Sequence, residues 1–248
     1  MCYDITLMSP RASQLEERFH ASFQHSEKYS PIYHVSAFSL PKIPVITNDA
    51  PQEIQLFTWG LVPFWVKDTQ QMEDIRLKTM NARGETLTEK PAFRHAAIQK
   101  HCLVLADGFF EWREYNGRKY PYYLRLRSHE PFTFAGLWDS WHNKQTEEQL
   151  NTFTIITTRA SPLLAQVHNT KKRMPVLLPK NKEQEWLQKN QTKEHLAELL
   201  IPVKDSELEA YPISRLITSR TQDSNVPEVL QPYSYQELPP LSDQTTLL

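Results

Sequence analysis

The sequence predicts a single α+β domain, in which a curved, barrel-like and mostly antiparallel β-core is flanked by a few helices. Segments rich in β-branched and aromatic residues outnumber segments with a helical repeat, and the two do not alternate regularly as they do in a doubly wound sheet. The 248 residues include 18 prolines but 5 glycines, which favours short elements joined by stiff turns. Hydrophobic residues make up 40% of the chain, enough for a substantial core.

The first predicted element is a helix that opens at Ser9-Pro10 and carries Leu15, Phe19 and Phe23 along one face. Runs rich in Val, Ile, Phe, Tyr and Thr then predict the strands, because these residue types suit a half-buried, pleated surface. The predicted strands are Ile43–Ile46, Ile54–Trp59, Cys102–Ala106, Tyr120–Leu126, Phe132–Ala135, Phe153–Thr158 and Met174–Leu178.

Three later segments are predicted to be helical. Thr86 and Glu89 form a capping-box pattern that leads into a helix through residues 93–98. A short helix is expected at Pro162–Val167, and a longer amphipathic helix over residues 182–200. The residues expected in the core from these and neighbouring segments are Trp59, Trp138, Trp141, Trp186, Leu196 and Leu199. The domain is predicted to span residues 1–232, and residues 233–248 to form a partly disordered C-terminal tail.

Composition restricts the class of protein. Two cysteines cannot form a disulfide framework, and the first ten residues have neither the basic start nor the apolar stretch of a signal peptide. No apolar run reaches the length of a membrane span, so the expected location is the cytoplasm. The cysteines and histidines show no metal-ligand spacing, and no cofactor motif appears, so neither a metal nor an organic cofactor is predicted.

The net charge is −1, yet residues 159–182 carry six basic and no acidic side chains, which could steer an anionic ligand.

The most reactive group that the sequence offers is Cys2. If Met1 is removed, Cys2 carries a free α-amine and a thiol on the same carbon. The reference pKa values of these groups, about 8 and about 8.5, give both a nucleophilic form near neutral pH. Such a pair captures an aldehyde, because the amine forms a Schiff base and the thiol closes on it to give a five-membered thiazolidine. The alternative is that residue 2 is merely a small residue before the first strand.

Other polar positions suit proton transfer. Glu111 follows an apolar strand and lies between aromatic residues, where partial desolvation would raise its pKa. His168 follows the short apolar helix and carries an imidazole that titrates near neutral pH. Asn81 lies in a polar segment just before a predicted helix. Each has an ordinary alternative: a turn cap for Asn81, a surface ion pair for Glu111 and a loop position for His168.

Six segments, in order, resemble the SOS-response-associated peptidase (SRAP) family over residues 2 to about 232. They are Met1-Cys2, the segment Trp59-Gly60-Leu61-Val62-Pro63-Phe64-Trp65, the segment Asn81-Ala82-Arg83-Gly84-Glu85-Thr86, residues 102–112, Phe134-Ala135-Gly136-Leu137-Trp138, and Arg173-Met174-Pro175 with the three residues after it.

The resemblance implies a protein that senses abasic sites in single-stranded DNA and captures the sugar aldehyde as a thiazolidine on Cys2. By motif, Asn81 would hold the terminus and the sugar, Glu111 would assist proton transfer, and His168 would exchange a proton with the ring-opening sugar oxygen and help reverse the bond. The family is also credited with removal of its own initiator methionine and with strand cleavage by β-elimination. The protein is expected to be a monomer that associates with the nucleoid and could bind replication-associated partners.

The same resemblance gives candidate DNA contacts. Arg83 and Arg173 would face phosphates, and Lys171 and Lys172 would add positive charge beside His168. Pro63, Phe64 and Trp65 would form a wedge or stacking platform for bases beside the lesion.

Three departures from the family pattern affect these expectations. Cys2 is followed by Tyr3-Asp4 in place of Gly-Arg, so a local phosphate contact is lost. The loop between His168 and Arg173 is three residues longer than usual. The segment that usually carries an asparagine after the first helix appears here as Tyr33-His34-Val35-Ser36, without the asparagine.

Three other functions compete with this interpretation. A non-catalytic reader of modified bases in DNA would keep the groove but not use Cys2. An N-terminal-nucleophile amidohydrolase would also begin Met-Cys, but it usually continues with glycine and needs a glycine-rich oxyanion region, whereas this chain has Tyr3 and 5 glycines. A general protease is disfavoured, because a site shaped for its own terminus need not accept another chain.

Overall fold

The computed structural model describes residues 2–144 and 146–242, and the strands in these ranges form two sheets. The strands, in chain order, are β1 (Asp4–Leu7), β2 (Ser22–Phe23), β3 (Ile32–Ser36), β4 (Lys42–Thr47), β5 (Ala50–Trp59), β6 (Asn81–Arg83), β7 (His101–Ala106), β8 (Gly108–Tyr115), β9 (Arg118–Leu126), β10 (Phe132–His142), β11 (Gln149–Arg159), β12 (Arg173–Pro175), β13 (Leu177–Leu178) and β14 (Leu208–Pro212). The helices are α1 (Ala12–Phe19), α2 (Thr69–Arg76), α3 (Ala96–Gln99), α4 (Pro162–Val167), α5 (Glu183–Trp186) and α6 (Lys193–Leu199).

Five strands of the larger sheet close into a barrel. They lie in the order β11-β10-β7-β4-β5, with antiparallel neighbours, and β5 then pairs with β11 in parallel, with Phe153 opposite Trp59. Strands β2, β6, β12 and β13 attach to this barrel. The predicted α+β fold with a barrel-like, mostly antiparallel core is therefore confirmed.

The second sheet contains the beginning of the chain. Its order is β14-β9-β8-β1-β3, and every pairing is antiparallel. Strand β1 therefore lies between two neighbours, with Asp4 opposite both Ser36 of β3 and Phe110 of β8. This pairing on both sides fixes the position of Cys2, two residues before Asp4.

The core continues from the barrel interior to the space between barrel and helices. All six residues of β7 are buried because the strand is covered on both faces, which explains its continuous apolar sequence. Trp59, Trp138 and Trp141 are buried, as predicted. Trp186, Leu196 and Leu199 are also buried, and the indole nitrogen of Trp186 donates to the carbonyl of Cys102 at 3.0 Å.

Each predicted strand is present, although Met174–Leu178 is divided into β12, which pairs with β11, and β13, which pairs with β10. Helix α4 has the predicted bounds, but three helix predictions were partly wrong. Helix α1 ends at Phe19 because His20 is left-handed (φ 53°), so Phe23 reaches the core from β2. The segment after Thr86 is mainly turns, and its helix is restricted to α3. Residues 182–200 form two short helices, α5 and α6, since the intervening segment contains left-handed Asn190 (φ 61°).

The C-terminal segment begins after the region of the family motifs and packs against the sheets as far as it is described. The hydroxyl of Tyr235 donates to the carbonyl of Ile213 at 2.9 Å, and Leu241 is buried. Residues 243–248, which belong to the predicted tail, lie outside the described residues. The boundary at residue 232 stays a prediction.

Membrane-spanning helices and clustered metal ligands are both absent from the described ranges. None of the helices there combines the length and apolar character that a membrane crossing needs. No three His, Cys, Asp or Glu side chains in those ranges come together as a metal site.

Candidate active site

Cys2 lies at the point where the second sheet meets the barrel. Its side chain is fully buried among apolar residues of the main core, and its Sγ is 3.9 Å from the carbonyl oxygen of Asp4. Burial raises the pKa of the Cys2 thiol well above its usual value, and the nearby Glu111 raises it further. The thiol is therefore protonated at neutral pH and needs a base before it can attack.

Asn81 reaches Cys2 from the barrel side. Its side-chain Nδ2 donates to the backbone carbonyl oxygen of Cys2 at 2.8 Å. Strand β6 holds Asn81 in place through parallel pairing with β11, where Asn81 lies opposite Ile155. The Oδ1 atom of Asn81 is buried and has no hydrogen-bond partner among the described residues. Asn81 thus fixes the main chain of Cys2 and keeps an acceptor available beside it.

Glu111 is a buried carboxyl on β8, where it lies opposite Tyr122 of β9. Burial raises its pKa to about 8. The sequence-based expectation of a raised pKa agrees with this environment. At neutral pH Glu111 is therefore mainly a neutral acid that can donate a proton.

His168 follows α4 directly and is buried as well. Its Nδ1 lies 2.8 Å from the carbonyl oxygen of Arg173 and 3.5 Å from Oε1 of Glu111. Burial lowers the pKa of His168 to about 4, so the ring is neutral at physiological pH. Because a carbonyl can only accept, Nδ1 carries the proton and Nε2 is the basic nitrogen.

The fold thus brings together the four residues that the sequence separates by up to 166 positions. Cys2 lies two residues before the start of β1, the neighbour of the strand β8 that carries Glu111; Asn81 comes from a strand attached to the barrel, and His168 from the end of α4. The arrangement combines a thiol, a neutral carboxylic acid and a neutral imidazole, which together can move protons in both directions near neutral pH.

His34, for which the sequence predicts no role, lies close to the start of β1. In the structure its Nε2 lies 3.0 Å from Oδ1 of Asp4, and its Nδ1 lies 2.7 Å from Oγ of Ser224. The Asp4 and His34 side chains are 11% and 9% exposed, so this is a largely buried pair. The two departures from the family pattern at these positions therefore contact each other, a link that no single-sequence signal reveals.

The two arginines predicted to face phosphates lie in different environments. Arg83 is exposed and lies two residues after Asn81 on β6, so the two side chains share a face of the strand. Arg173 is buried; its guanidinium contacts both carboxylate oxygens of Glu85, at 2.5 and 3.0 Å, and the carbonyl of Thr157 at 2.7 Å. Although burial opposes it, the hydrogen bonds from Arg173 lower the pKa of Glu85. Phosphate binding by either arginine stays a prediction.

The lengthened loop after His168 is held in a defined conformation. Asn169 donates from Nδ2 to the carbonyl of Glu114 at 2.7 Å and accepts from its amide at 3.0 Å, which attaches the loop to β8. The amide of Lys172 donates to the carbonyl of His168 at 2.8 Å, and Lys172 is left-handed (φ 49°). Lys171 and Lys172 are exposed beside His168, so their positive charge remains available to an anion.

The predicted wedge is partly exposed. Pro63 is buried, whereas Phe64 and Trp65 are 51% and 39% exposed. Both line a surface cavity of about 400 Å³ together with Pro91, Arg94 and His95, and the rings of Phe64 and His95 lie 4.8 Å apart. The amide of Phe64 also donates to Oδ2 of Asp139 at 2.9 Å, which attaches this segment to β10. Arg94 and His95 were missed because they lie in a segment that was predicted to be an ordinary helix.

Known proteins similar to this chain include members of one family, two named relatives and one protein of known structure. The family model described as SOS response associated peptidase (SRAP) matches residues 1–220. The abasic site processing protein YoqW of Bacillus subtilis is 36% identical over 233 residues, which cover 93% of this chain and 99% of that protein. The abasic site processing protein HMCES of Xenopus tropicalis is 28% identical, with 83% of this chain and 67% of that protein covered. A crystal structure of a protein from Bacteroides thetaiotaomicron superimposes with a TM-score of 0.87 at 35% identity, covering 94% of this chain and 100% of that one.

Proposed function

Since the chain belongs to the SOS response associated peptidase (SRAP) family, we propose that it senses abasic sites in single-stranded DNA and captures their aldehyde covalently on Cys2. The observation that supports this most strongly is the convergence of Asn81, Glu111 and His168 around a cysteine at the start of the chain. The relatives named as abasic site processing proteins supply the substrate class.

Capture begins with the α-amine that removal of Met1 creates. Its nitrogen attacks C1 of the open-chain sugar and forms a carbinolamine. The neutral Glu111 then gives its proton to the departing hydroxyl group, which leaves as water, so that an iminium ion and a Glu111 carboxylate remain. A pKa of about 8 leaves Glu111 protonated for this step at neutral pH.

Ring closure uses the carboxylate just formed. Glu111 takes the proton of the Cys2 thiol, and the sulfur adds to C1 to give the neutral thiazolidine. The carboxylic acid is thereby restored, and the net change is the loss of one water. This order of steps also explains how a buried thiol with a raised pKa can react. The carboxylate that deprotonates the thiol appears only after the Schiff base has formed.

His168 and Asn81 have supporting roles. The neutral His168 can take the proton of the sugar C1 hydroxyl on Nε2 and return it to the ring oxygen, which opens the sugar; the same exchange assists reversal. Asn81 holds the carbonyl of Cys2, so that amine and thiol face the sugar together. Arg83, Lys171 and Lys172 are exposed and would bind the flanking phosphates.

Two further activities belong to the same site. Self-removal of Met1 would need a proton donor for the departing amine, a role that Glu111 can fill. The iminium ion would also act as an electron sink for β-elimination, which cleaves the DNA strand on the 3′ side of the lesion. We expect the protein to act as a monomer at the nucleoid, where single-stranded DNA arises during replication.

The test is intact-mass spectrometry before and after incubation with a single-stranded oligonucleotide that carries one abasic site. The expected starting mass lacks methionine, and the expected adduct is the sum of both components minus one water. Cys2→Ala should form no heat-stable adduct, because its amine alone gives only a labile Schiff base, whereas the matched control Cys102→Ala, which also removes a fully buried thiol, should react like the parent protein.

Other outcomes would favour the competing functions. A processed protein that binds the oligonucleotide without any adduct would support a non-catalytic reader. Release of ammonia from glutamine would support an amidohydrolase. For self-processing, synthesis in an extract without methionine aminopeptidase should still give the shortened parent protein, while Glu111→Gln should retain Met1.

A further inference from the structure

Two aromatic side chains form a pair directly beside Cys2. The ring centroids of Tyr3 and Phe38 lie 4.9 Å apart, with their planes at 38° to each other. Tyr3 is half-buried, but Phe38 is 62% exposed, the highest value among the large hydrophobic side chains of the described residues. The pair therefore presents an open aromatic surface next to the cysteine.

The turn that carries Phe38 is fixed to the main chain of Tyr3. The amide of Ala37 donates to the carbonyl of Tyr3 at 2.7 Å, and Ala37 itself is buried. Residues Ala37–Ser39 form one 3-10 turn, which Ser39 closes by donating from Oγ to the carbonyl of Ser36 at 2.8 Å, and left-handed Leu40 ends it. Phe38 is thus held outward on a rigid turn and is not merely a flexible surface side chain.

Tyr3 connects this surface to the reactive groups. Burial raises the pKa of Tyr3, and the charges of Glu111 and Cys2 raise it further, which places the phenol within electrostatic reach of both. Asp4, the next residue, has its carboxylate turned to His34 in a largely buried pair, so it is not presented to a phosphate. The aromatic surface therefore lies beside Cys2, and a strand attached to that cysteine can pass over it.

We propose that Tyr3 and Phe38 form a stacking platform for the nucleobase adjacent to the abasic sugar, an inference that rests on the proposed function. A base beside an abasic site has lost one stacking neighbour, and an exposed ring can replace it. Stacking on an aromatic side chain is independent of sequence, because every base has a π-face. This suits a sensor that must act wherever a base is missing. Phe38 supplies the open ring, and Tyr3 supports it from the side of Cys2.

The experiment compares two oligonucleotides that carry the same reactive abasic site. In one, the neighbouring nucleotides have bases; in the other, they are stable baseless spacers without an aldehyde. With the first, Phe38→Ala should raise the concentration that gives half-maximal adduct formation about 5- to 150-fold, which corresponds to about 1–3 kcal/mol per stacked base. With the second, Phe38→Ala and the parent protein should react alike.

Further variants separate stacking from a general structural effect. Phe38→Trp should restore binding and Phe38→Leu should not, because leucine is apolar but has no π-face. Tyr3→Phe should keep the platform, and Tyr3→Ala should weaken it. Tyr233→Ala is the matched control, since it removes another exposed ring that is paired with an aromatic neighbour, Tyr235 at 4.7 Å. It should leave adduct formation unchanged.

A second measurement does not depend on the covalent step. With 2-aminopurine as the neighbouring base, binding should quench its fluorescence in the parent protein and in Cys2→Ala, but not in Phe38→Ala. If the parent protein forms no adduct while the quenching remains, the proposed capture fails and the platform stands. Equal reaction of Phe38→Ala and the parent protein with the base-flanked substrate would overturn the platform. An equal loss of adduct formation with both substrates would also overturn the platform. Self-association of the parent protein that Phe38→Ala abolishes would overturn it as well, because the aromatic pair would then contact a second copy of the chain.

Discussion

The side-chain amide of Asn81 donates a hydrogen bond of 2.8 Å to the backbone carbonyl of Cys2, and this contact joins the barrel to the start of the second sheet. Asn81→Asp keeps the shape of the side chain but replaces the donor Nδ2 with an oxygen that faces the carbonyl oxygen of Cys2. Repulsion between these oxygens should displace the main chain of Cys2. We expect adduct formation to slow by about 100-fold, because displacements near 1 Å have effects of that size. Single-turnover mass spectrometry measures the rate. Asn151→Asp, an exposed asparagine, is the control, and an unchanged rate in Asn81→Asp would contradict the proposed role.

The raised pKa of Glu111 predicts the pH dependence of capture. Because the acid form donates the proton and its pKa is about 8, the rate of adduct formation should decline as the pH rises through about 8. Glu111→Gln should be about 100-fold slower at pH 7 and should lose this decline. The exposed Glu114 on the same strand gives the control, Glu114→Gln. A parent profile that keeps rising above pH 8 would show that Glu111 does not act as an acid.

The same carboxyl should affect stability. In the unfolded chain Glu111 ionises near its ordinary pKa of 4.5, and in the folded protein near 8. Between these values the folded state binds more protons, so stability is lost as the pH rises from about 4.5 to 8, and the loss is complete above 8. Glu111→Gln cannot ionise and should be more stable than the parent at pH 9 by on the order of 3–5 kcal/mol, with little difference at pH 4. Urea unfolding at both pH values tests this; an equal effect at both would refute it.

The pair between Asp4 and His34 should contribute to folding. His34→Ala would leave a largely buried carboxylate without its imidazole partner, which we expect to lower the free energy of unfolding by about 3 kcal/mol. Asp4→Asn combined with His34→Ala should recover part of this loss, because no charge is then buried. His142→Ala breaks an exposed pair with Glu147 and should cost about 0.5 kcal/mol or less. Similar losses in His34→Ala and His142→Ala would rule out a structural role for the buried pair.

The two arginines should respond differently to substitution. Arg83→Gln should weaken binding to single-stranded DNA and reduce the slope of log affinity against log salt by about 0.7, with no change in stability, because this side chain is exposed. Arg173→Gln should instead lower the free energy of unfolding by about 2 kcal/mol or more, since it removes the buried contacts to Glu85 and Thr157. Salt titrations of binding and urea unfolding distinguish the two. An unchanged salt slope in Arg83→Gln would remove Arg83 from the interface.

The sequence predicted the barrel well because its strands are rich in β-branched and aromatic residues. β1, β3 and β8 were missed because they mix polar and apolar residues. Pairing makes them strands, not local propensity: β1 and β8 are paired on both sides, and β3 pairs with β1 at the edge of the sheet. The helices over 86–98 and 182–200 were overestimated because helical spacing alone does not reveal interruptions such as left-handed Asn190.

The candidate site was predictable only as separate segments. Each of Asn81, Glu111 and His168 had an ordinary alternative when considered alone, and only the topology places them around Cys2. Two facts depend on partners far away in sequence and could not be predicted: Arg173 is held by Glu85, and Asp4 is held by His34. Local sequence shows which side chains are charged but not which of them neutralise each other.

The pairing of β1 on both sides makes the site sensitive to spacing as well as to side-chain identity. Only Tyr3 separates Cys2 from the first paired residue, Asp4. One inserted residue between them would advance Cys2 by about 3.3 Å and turn its side chain to the opposite face of the sheet. This end of the chain should therefore tolerate a substitution much more readily than the insertion or deletion of a residue.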